Sequence, residues 1–244
     1  MLSINDFRTT DFIQQSNNIY LHKDLSFDIP ICRYIPIDYF VELLSTQKLY
    51  ISNRKYLNDK REQGIKENLR DIFPLSPVYE DENKTREEAI RRHELHQEAY
   101  STCVSCWTKR TDESIMQWNC YGQNTCKLST TIGGLIDAIL PDLQIPTILV
   151  APIQYIDTDR TNLIHEKIFC KYKAYQDEQE IRLCLLCNEH HFLLNIDTKV
   201  LIKNIILNPF YSKCYQNFIK DSIEDRYKFL KGKISYSHLL EYKS

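Results

Sequence analysis

Glycine is scarce in this chain. There are five in 244 residues, at Gly64, Gly122, Gly133, Gly134 and Gly232. Neither G-x-G-x-x-G nor G-x-x-x-x-G-K-[ST] can be assembled from them, which argues against a Rossmann dinucleotide site and a P-loop. An excess of one charge is lacking too. The net charge is −2, so no overall field draws the protein to DNA, RNA or anionic lipid. Only a locally gripped nucleic acid stays open. The longest apolar runs, such as "IPTILVAPI", fall far short of the ~20 residues that cross a bilayer. No membrane partner is expected. The opening "MLSINDFRTTDF" has charged and polar residues where a secretory signal has its apolar stretch. This predicts a cytoplasmic protein, although a chain delivered by a machine that needs no N-terminal signal would look the same.

Cysteine, by contrast, is present nine times. An odd count in a cytoplasmic chain reads as free thiols, metal ligands or a nucleophile rather than a disulfide framework. Two C-x-x-C pairs, Cys103/Cys106 and Cys184/Cys187, raise structural zinc. Both sit in apolar, strand-like runs. Residues three apart on a strand point to opposite faces, so buried thiols are expected and no metal. His93 and His96 have i, i+3 spacing and read as surface. His190 and His191 read as exposed turn residues. Cys120, between Asn119 and Tyr121, reads as a thiol on the inner face of a helix.

Periodicity predicts an α+β protein: a mixed or antiparallel sheet core with flanking helices, and strands and helices in no regular βαβ beat. Residues 1–28 read as an N-terminal arm packed on the body, and 29–244 as a single domain. "IPICRYIPI" and "KLYIS" read as strands. Between them "DYFVELLSTQ" reads as a helix with Phe40, Leu43 and Leu44 on one face and Asp38 as its cap. "IKENLRDIF" and the highly charged 80–98 read as helices. In the latter, Glu87 and Glu88 precede Arg91 and Arg92 by four residues, the order that suits an exposed helix. "YSTCVSCWT" reads as a strand and "DESIMQWNCYG" as a helix ending at Gly122. "EIRLCLLC" and "HFLLNI" read as a hairpin joined through "NEHH". "VLIKNIILNP" reads as strand, and "SKCYQNFIKDSIEDRYKFL" as a C-terminal amphipathic helix.

Two clusters invite a chemical reading. Trp107, Trp118 and Tyr121 lie close in sequence, and Trp118 and Tyr121 share a helix face. They fill a core or wall a pocket for a planar ligand. In "YKAYQDEQEIRLCLLC" carboxylates stand at the mouth of an apolar run. On a strand over 178–186, Glu178, Glu180 and Arg182 share one face. Adjacent carboxylates repel, and Arg182 would offset them. The row is either a solvent-facing edge or a carboxylate held in a cleft.

The motifs in order are "CRY", "LYIS", "LND" with a following Glu62, "SCW", "MQWNCYG", "EQEIR" and "IILNP". Over Arg33 to Pro209 this order resembles the bacterial and phage family called domain of unknown function 2971. The chain departs from that pattern at Gln117, inserted between Met116 and Trp118, and at Lys60, where Pro is usual. The stretch after Gly122 also lacks a clear Gly-Val/Ile strand. More remotely, an Arg on the first strand, a Ser-bearing middle strand and a late Glu-x-Glu strand are similar to the Arg–Ser–Glu layout of ADP-ribosyltransferases. That fold binds NAD without a glycine fingerprint.

This similarity implies an NAD-using transferase or NAD glycohydrolase, a toxin or phage-defence protein acting in conflict between bacteria, phage or host. Its acceptor would be a protein, a nucleic acid or a small molecule. Arg33 would grip phosphate or ribose. Tyr34, Trp107, Trp118 and Tyr121 would line the cofactor site, with aromatics stacking on nicotinamide. Ser105 would brace it, Glu180 would be the essential carboxylate, and Glu178 would orient or deprotonate the acceptor. Breaking the nicotinamide–ribose bond builds positive charge on the sugar, as in glycoside cleavage, and a carboxylate beside it offsets that charge. Two rival readings are a non-enzymatic interaction or sensor domain, and a metal-dependent nuclease using Asp59, Glu62, Glu178 and Glu180.

Overall fold

Most of the strands join in one mixed, mostly antiparallel sheet. The computed structural model describes residues 9–16, 18–57, 102–122, 124–142, 144–157, 168–187 and 189–239. The helices expected over 65–73 and 80–98, the His93/His96 pair, and Asp59, Lys60 and Glu62 lie outside the described residues. Within the segment read as an arm, β1 (Phe12–Ser16) and β2 (Ile19–His22) are strands of the sheet. β2 runs parallel to β7 (Ile148–Pro152). The order continues through β10 (Glu180–Leu185), β5 (Cys103–Thr108), β3 (Pro30–Pro36) and β6 (Thr125–Thr131) to β12 (Asn204–Leu207) and β13 (Ile234–Tyr236). β4 (Lys48–Asn53) branches from β5 and carries β11 (His191–Asn195) on its other side. β8 (Gln154–Ile156) and β9 (Cys170–Tyr172) form a separate parallel pair.

The expected hairpin does not form. β10 pairs with β5 and β7, whereas β11 pairs with β4. Both runs are apolar enough to pair with any neighbour, and the partner is chosen by burial far along the chain. Every residue of β10 is buried. The edge-strand reading is therefore overturned: this is an interior strand with both faces covered, which explains its nearly continuous apolar sequence. One face joins the main core through Ile181, Leu183 and Leu185. Cys184 packs on the other, with Val104, Leu149 and Ala151.

Helix α1 (Ile37–Thr46) buries Phe40, Leu43 and Leu44. Its N-cap is Pro36 rather than Asp38, which instead sits in the first turn, where a carboxylate suits the helix dipole. Helix α2 (Ile115–Tyr121) starts at Ser114, whose Oγ accepts the Gln117 N–H, and stops at Gly122, whose φ of 88° favours glycine. α3 (Ile132–Asp137), α4 (Thr198–Leu201) and α5 (Lys213–Arg226) complete the helices described. α4 replaces the first part of the strand expected at "VLIKNIILNP".

β6 was not evident from its sequence, "TCKLSTT". Its Lys127 is buried, and the Nζ donates to the carbonyls of Thr111 and Asp112. A lysine satisfied inside the fold hides the strand's apolar character from the sequence.

One irregularity positions the site. Along one edge β5 is paired with β10 from end to end. Along the other it meets β3 only at Cys32↔Thr108, and β4 only at Ser52↔Val104 and Asn53↔Cys103. Between these contacts β3 and β4 part from β5, and the sheet is split.

Candidate functional site

A cavity of about 250 Å³ lies beside this split. It is bounded by β3, the C-terminal half of β5, helix α2 and the 3₁₀ turn Lys173–Glu178. Of the residues expected to form a site, Arg33, Tyr34, Trp107, Tyr121, Glu178 and Glu180 all line it. Ser105 and Trp118 do not.

Ser105 is fully buried behind the wall. Its Oγ accepts hydrogen bonds from Arg33 Nη1 at 2.8 Å and Trp107 Nε1 at 3.1 Å. It thus fixes two of the lining side chains. Arg33 is partly buried, and burial pulls its guanidinium below the ordinary value, though an arginine stays charged. Among the described residues neither Arg33 nor Arg110, which also lines the cavity, has a carboxylate within ion-pair distance.

The aromatic wall is built on Tyr34. Its ring stacks on Tyr121, with centroids 5.6 Å apart and planes at 10°. It meets Trp118 edge-on at 4.7 Å. Its Oη accepts the Ser114 N–H at 3.4 Å, tying β3 to the start of α2. Trp118 is fully buried, so its role is packing. Tyr121 is 50% exposed. Burial of its phenol raises the pKa, and Cys106, Glu178 and Glu180 raise it further, so its hydroxyl end lies in the field of those groups. Cys120 is exposed and lines the cavity, a correction to the inner-face reading: on this short helix Trp118 takes the buried face.

The two glutamates differ in setting. Glu178 ends the 3₁₀ turn, Gln179 follows in the left-handed region with φ 45°, and the strand begins only at Glu180. The expectation that Glu178 and Glu180 share a strand face is therefore wrong. They are joined instead by Lys171 on β9. Its Nζ lies 2.6 Å from Glu178 Oε2 and 2.7 Å from Glu180 Oε2.

Glu180 is 2% exposed and also takes Arg182 Nε at 2.7 Å and Nη2 at 3.2 Å. Burial alone would raise its pKa. Arg182 and Lys171 outweigh that and hold it down to about 2. The side chain of Glu178 is 39% exposed at the rim, and its carbonyl accepts the Thr108 hydroxyl at 2.5 Å. Lys171 and Arg110 were not anticipated. Neither stands in a motif, and only the fold brings them to the acids and to Arg33.

Elsewhere, His190 and His191 are both exposed, but His191 opens β11 rather than sitting in a turn. Among the described residues no group of three or more His, Cys, Asp or Glu is placed to hold a metal ion, and no helix is long and apolar enough to cross a membrane. No protein-family model matches the chain, and the curated proteins include no significant match to it.

Proposed function

We propose that the protein is an NAD-using ADP-ribosyltransferase or NAD glycohydrolase with an ADP-ribosyltransferase-like α+β fold, working at the cavity beside the sheet split. One observation carries this reading. Arg33 and Arg110, without carboxylate partners among the described residues, line the same cavity as the stacked Tyr34 and Tyr121 rings and the rim carboxylate Glu178. Unneutralised guanidiniums suit phosphate oxygens. Aromatic walls suit a planar ring. A carboxylate near the ribose offsets the charge that builds as the glycosidic bond breaks. The remote similarity of the Arg33, Ser105 and Glu-x-Glu order to the Arg–Ser–Glu layout of ADP-ribosyltransferases supports the same assignment.

The environment of the acids alters their proposed roles. Glu180 is already engaged by two cations, so its part is to hold Lys171. Glu178 is the carboxylate that meets the ligand. The nuclease reading is weaker, because Lys171 Nζ occupies the position between the two carboxylates that a divalent ion would take. The sensor reading is favoured by the same clamp, which gives Glu180 a purely structural use.

The test is NAD consumption by the full-length protein with and without EDTA. Loss of NAD that survives EDTA is expected. Binding of ADP-ribose without turnover favours the sensor, and nucleic-acid cutting that EDTA abolishes favours the nuclease.

A further inference from the structure

Helix α2 opens on Ser114-Ile115-Met116-Gln117, the S-x-x-Q spacing of a capping box. In such a box the serine hydroxyl takes the N–H of the fourth residue, and the side chain of that residue takes the serine N–H in return. Here only half of it forms. Ser114 Oγ accepts the Gln117 N–H at 3.4 Å. The Ser114 N–H goes instead to Tyr34 Oη, also at 3.4 Å. Gln117 Oε1 is left buried, with no hydrogen-bond partner among the described residues. Of the three side-chain atoms in that condition there, it alone belongs to a residue that lines the cavity. A buried carbonyl oxygen without a donor weakens the fold, and a donor supplied by a ligand would satisfy it.

We propose that Gln117 is a specificity-determining residue, whose Oε1 accepts an N–H of the nicotinamide carboxamide. The inference rests on the NAD reading and extends it to a residue that reads the leaving ring. The place of Gln117 on the helix selects the donor. Gln117 and Tyr121 are four residues apart on α2 and share a face. The acceptor therefore stands about 6 Å along the helix axis from the ring wall, where a planar group would lie. Arg33 and Arg110, the groups suited to phosphate, come from β3 and from just beyond β5. At about 250 Å³ the cavity is smaller than the ~300–1,000 Å³ of sites that enclose a drug-sized ligand, so it holds one end of a dinucleotide. Glu178 lines the same cavity. The end held beside it is the one whose glycosidic bond breaks, and the ring at that end carries the carboxamide.

The test compares NAD with 3-acetylpyridine adenine dinucleotide, measuring release of the free ring from each by the full-length protein. The analogue keeps the ring charge and the carbonyl but has a methyl where the carboxamide has its NH2, so it offers Oε1 no donor. The kcat/KM for NAD should exceed that for the analogue by about tenfold or more. In Gln117→Met, which keeps the length of the side chain and removes the acceptor, the two values should come within about threefold of each other. That collapse separates the contact from any difference in intrinsic reactivity between the two rings, and a merely structural role for Gln117 would not produce it. If the parent cleaves both dinucleotides equally well, the inference is overturned while the NAD reading stands. It is also overturned if Gln117→Met discriminates as strongly as the parent. If neither dinucleotide is cleaved, the NAD reading fails and this inference falls with it. The comparison in the parent needs no variant, so a misfolded Gln117→Met does not leave the question open.

Discussion

Arg182 Nε donates to Glu180 Oε1 at 2.7 Å inside the sheet, where the two side chains are 1% and 2% exposed. This pair explains why carboxylates stand at the mouth of an apolar strand. Glu180 and Arg182 share a face two residues apart, and the second Glu180 oxygen is taken by Lys171, which reaches out to Glu178 at the rim. Charge thus runs from the sheet interior to the cavity wall as a chain of opposite signs.

The Glu180→Gln protein should be markedly less stable than the parent. Gln keeps the shape but leaves Arg182 and Lys171 facing a neutral amide, and breaking one side of a buried pair costs about 3–5 kcal/mol. Urea unfolding at neutral pH measures this. A change below about 1 kcal/mol would mean that water reaches these groups and that the clamp is not structural.

Acid should act through the same carboxyl. Its folded pKa of about 2 lies below its ordinary 4.5. The folded state therefore holds fewer protons here, and this contribution to stability is fully present above pH 4.5 and lost as pH falls towards 2. The loss is on the order of 3 kcal/mol. In Glu180→Gln the unfolding midpoint should change less with pH over that window. An unchanged pH dependence would place the acid transition on other carboxylates.

The sequence carried the ingredients of the site but not its wiring. Arg33, Tyr34, Trp107, Tyr121, Glu178 and Glu180 stand in short motifs with unusual polar or aromatic content, and all of them line one cavity. Only the placement of Glu178 on the strand fails, because the left-handed Gln179 ends the turn before the strand starts at Glu180, and nothing in "YQDEQEIR" announces that turn. Burial of β10 on both faces was half legible in its apolar run, yet Glu180 and Arg182 suggested an edge. Their neutralisation depends on Lys171, from a segment with no motif. Pairing of β11 with β4 rather than β10 is likewise a long-range choice.

The two aromatic neighbours of Tyr34 should separate packing from recognition. Trp118→Ala empties a fully buried space and should cost about 3–5 kcal/mol of stability. Tyr121→Ala removes a half-exposed ring. It should cost folding about 1 kcal/mol or less and weaken ligand binding by the worth of one stacked pair, about 0.5–1.5 kcal/mol. Thermal unfolding and calorimetric titration with ADP-ribose read the two effects. Equal binding by Tyr121→Ala and the parent would remove the ring from the site.

The decisive comparison sets Glu178 against Arg33. Glu178 sits at the rim with its side chain 39% exposed, so Glu178→Gln should change stability little. If it offsets positive charge developing on the ribose, kcat for NAD loss should fall about 10²–10³-fold, as when one well-aimed group is removed. KM should stay near that of the parent. If Arg33 grips the ground state, Arg33→Ala should raise KM more than it lowers kcat. Arg33→Lys should recover little, because an ammonium cannot hold both Ser105 Oγ and a phosphate with a planar fork. If Glu178→Gln turns over NAD as fast as the parent while Glu180→Gln, checked to be folded, is inactive, the assignment of the carboxylates reverses. If both are as active as the parent, neither acid takes part, and whatever NAD loss is seen comes from elsewhere in the molecule.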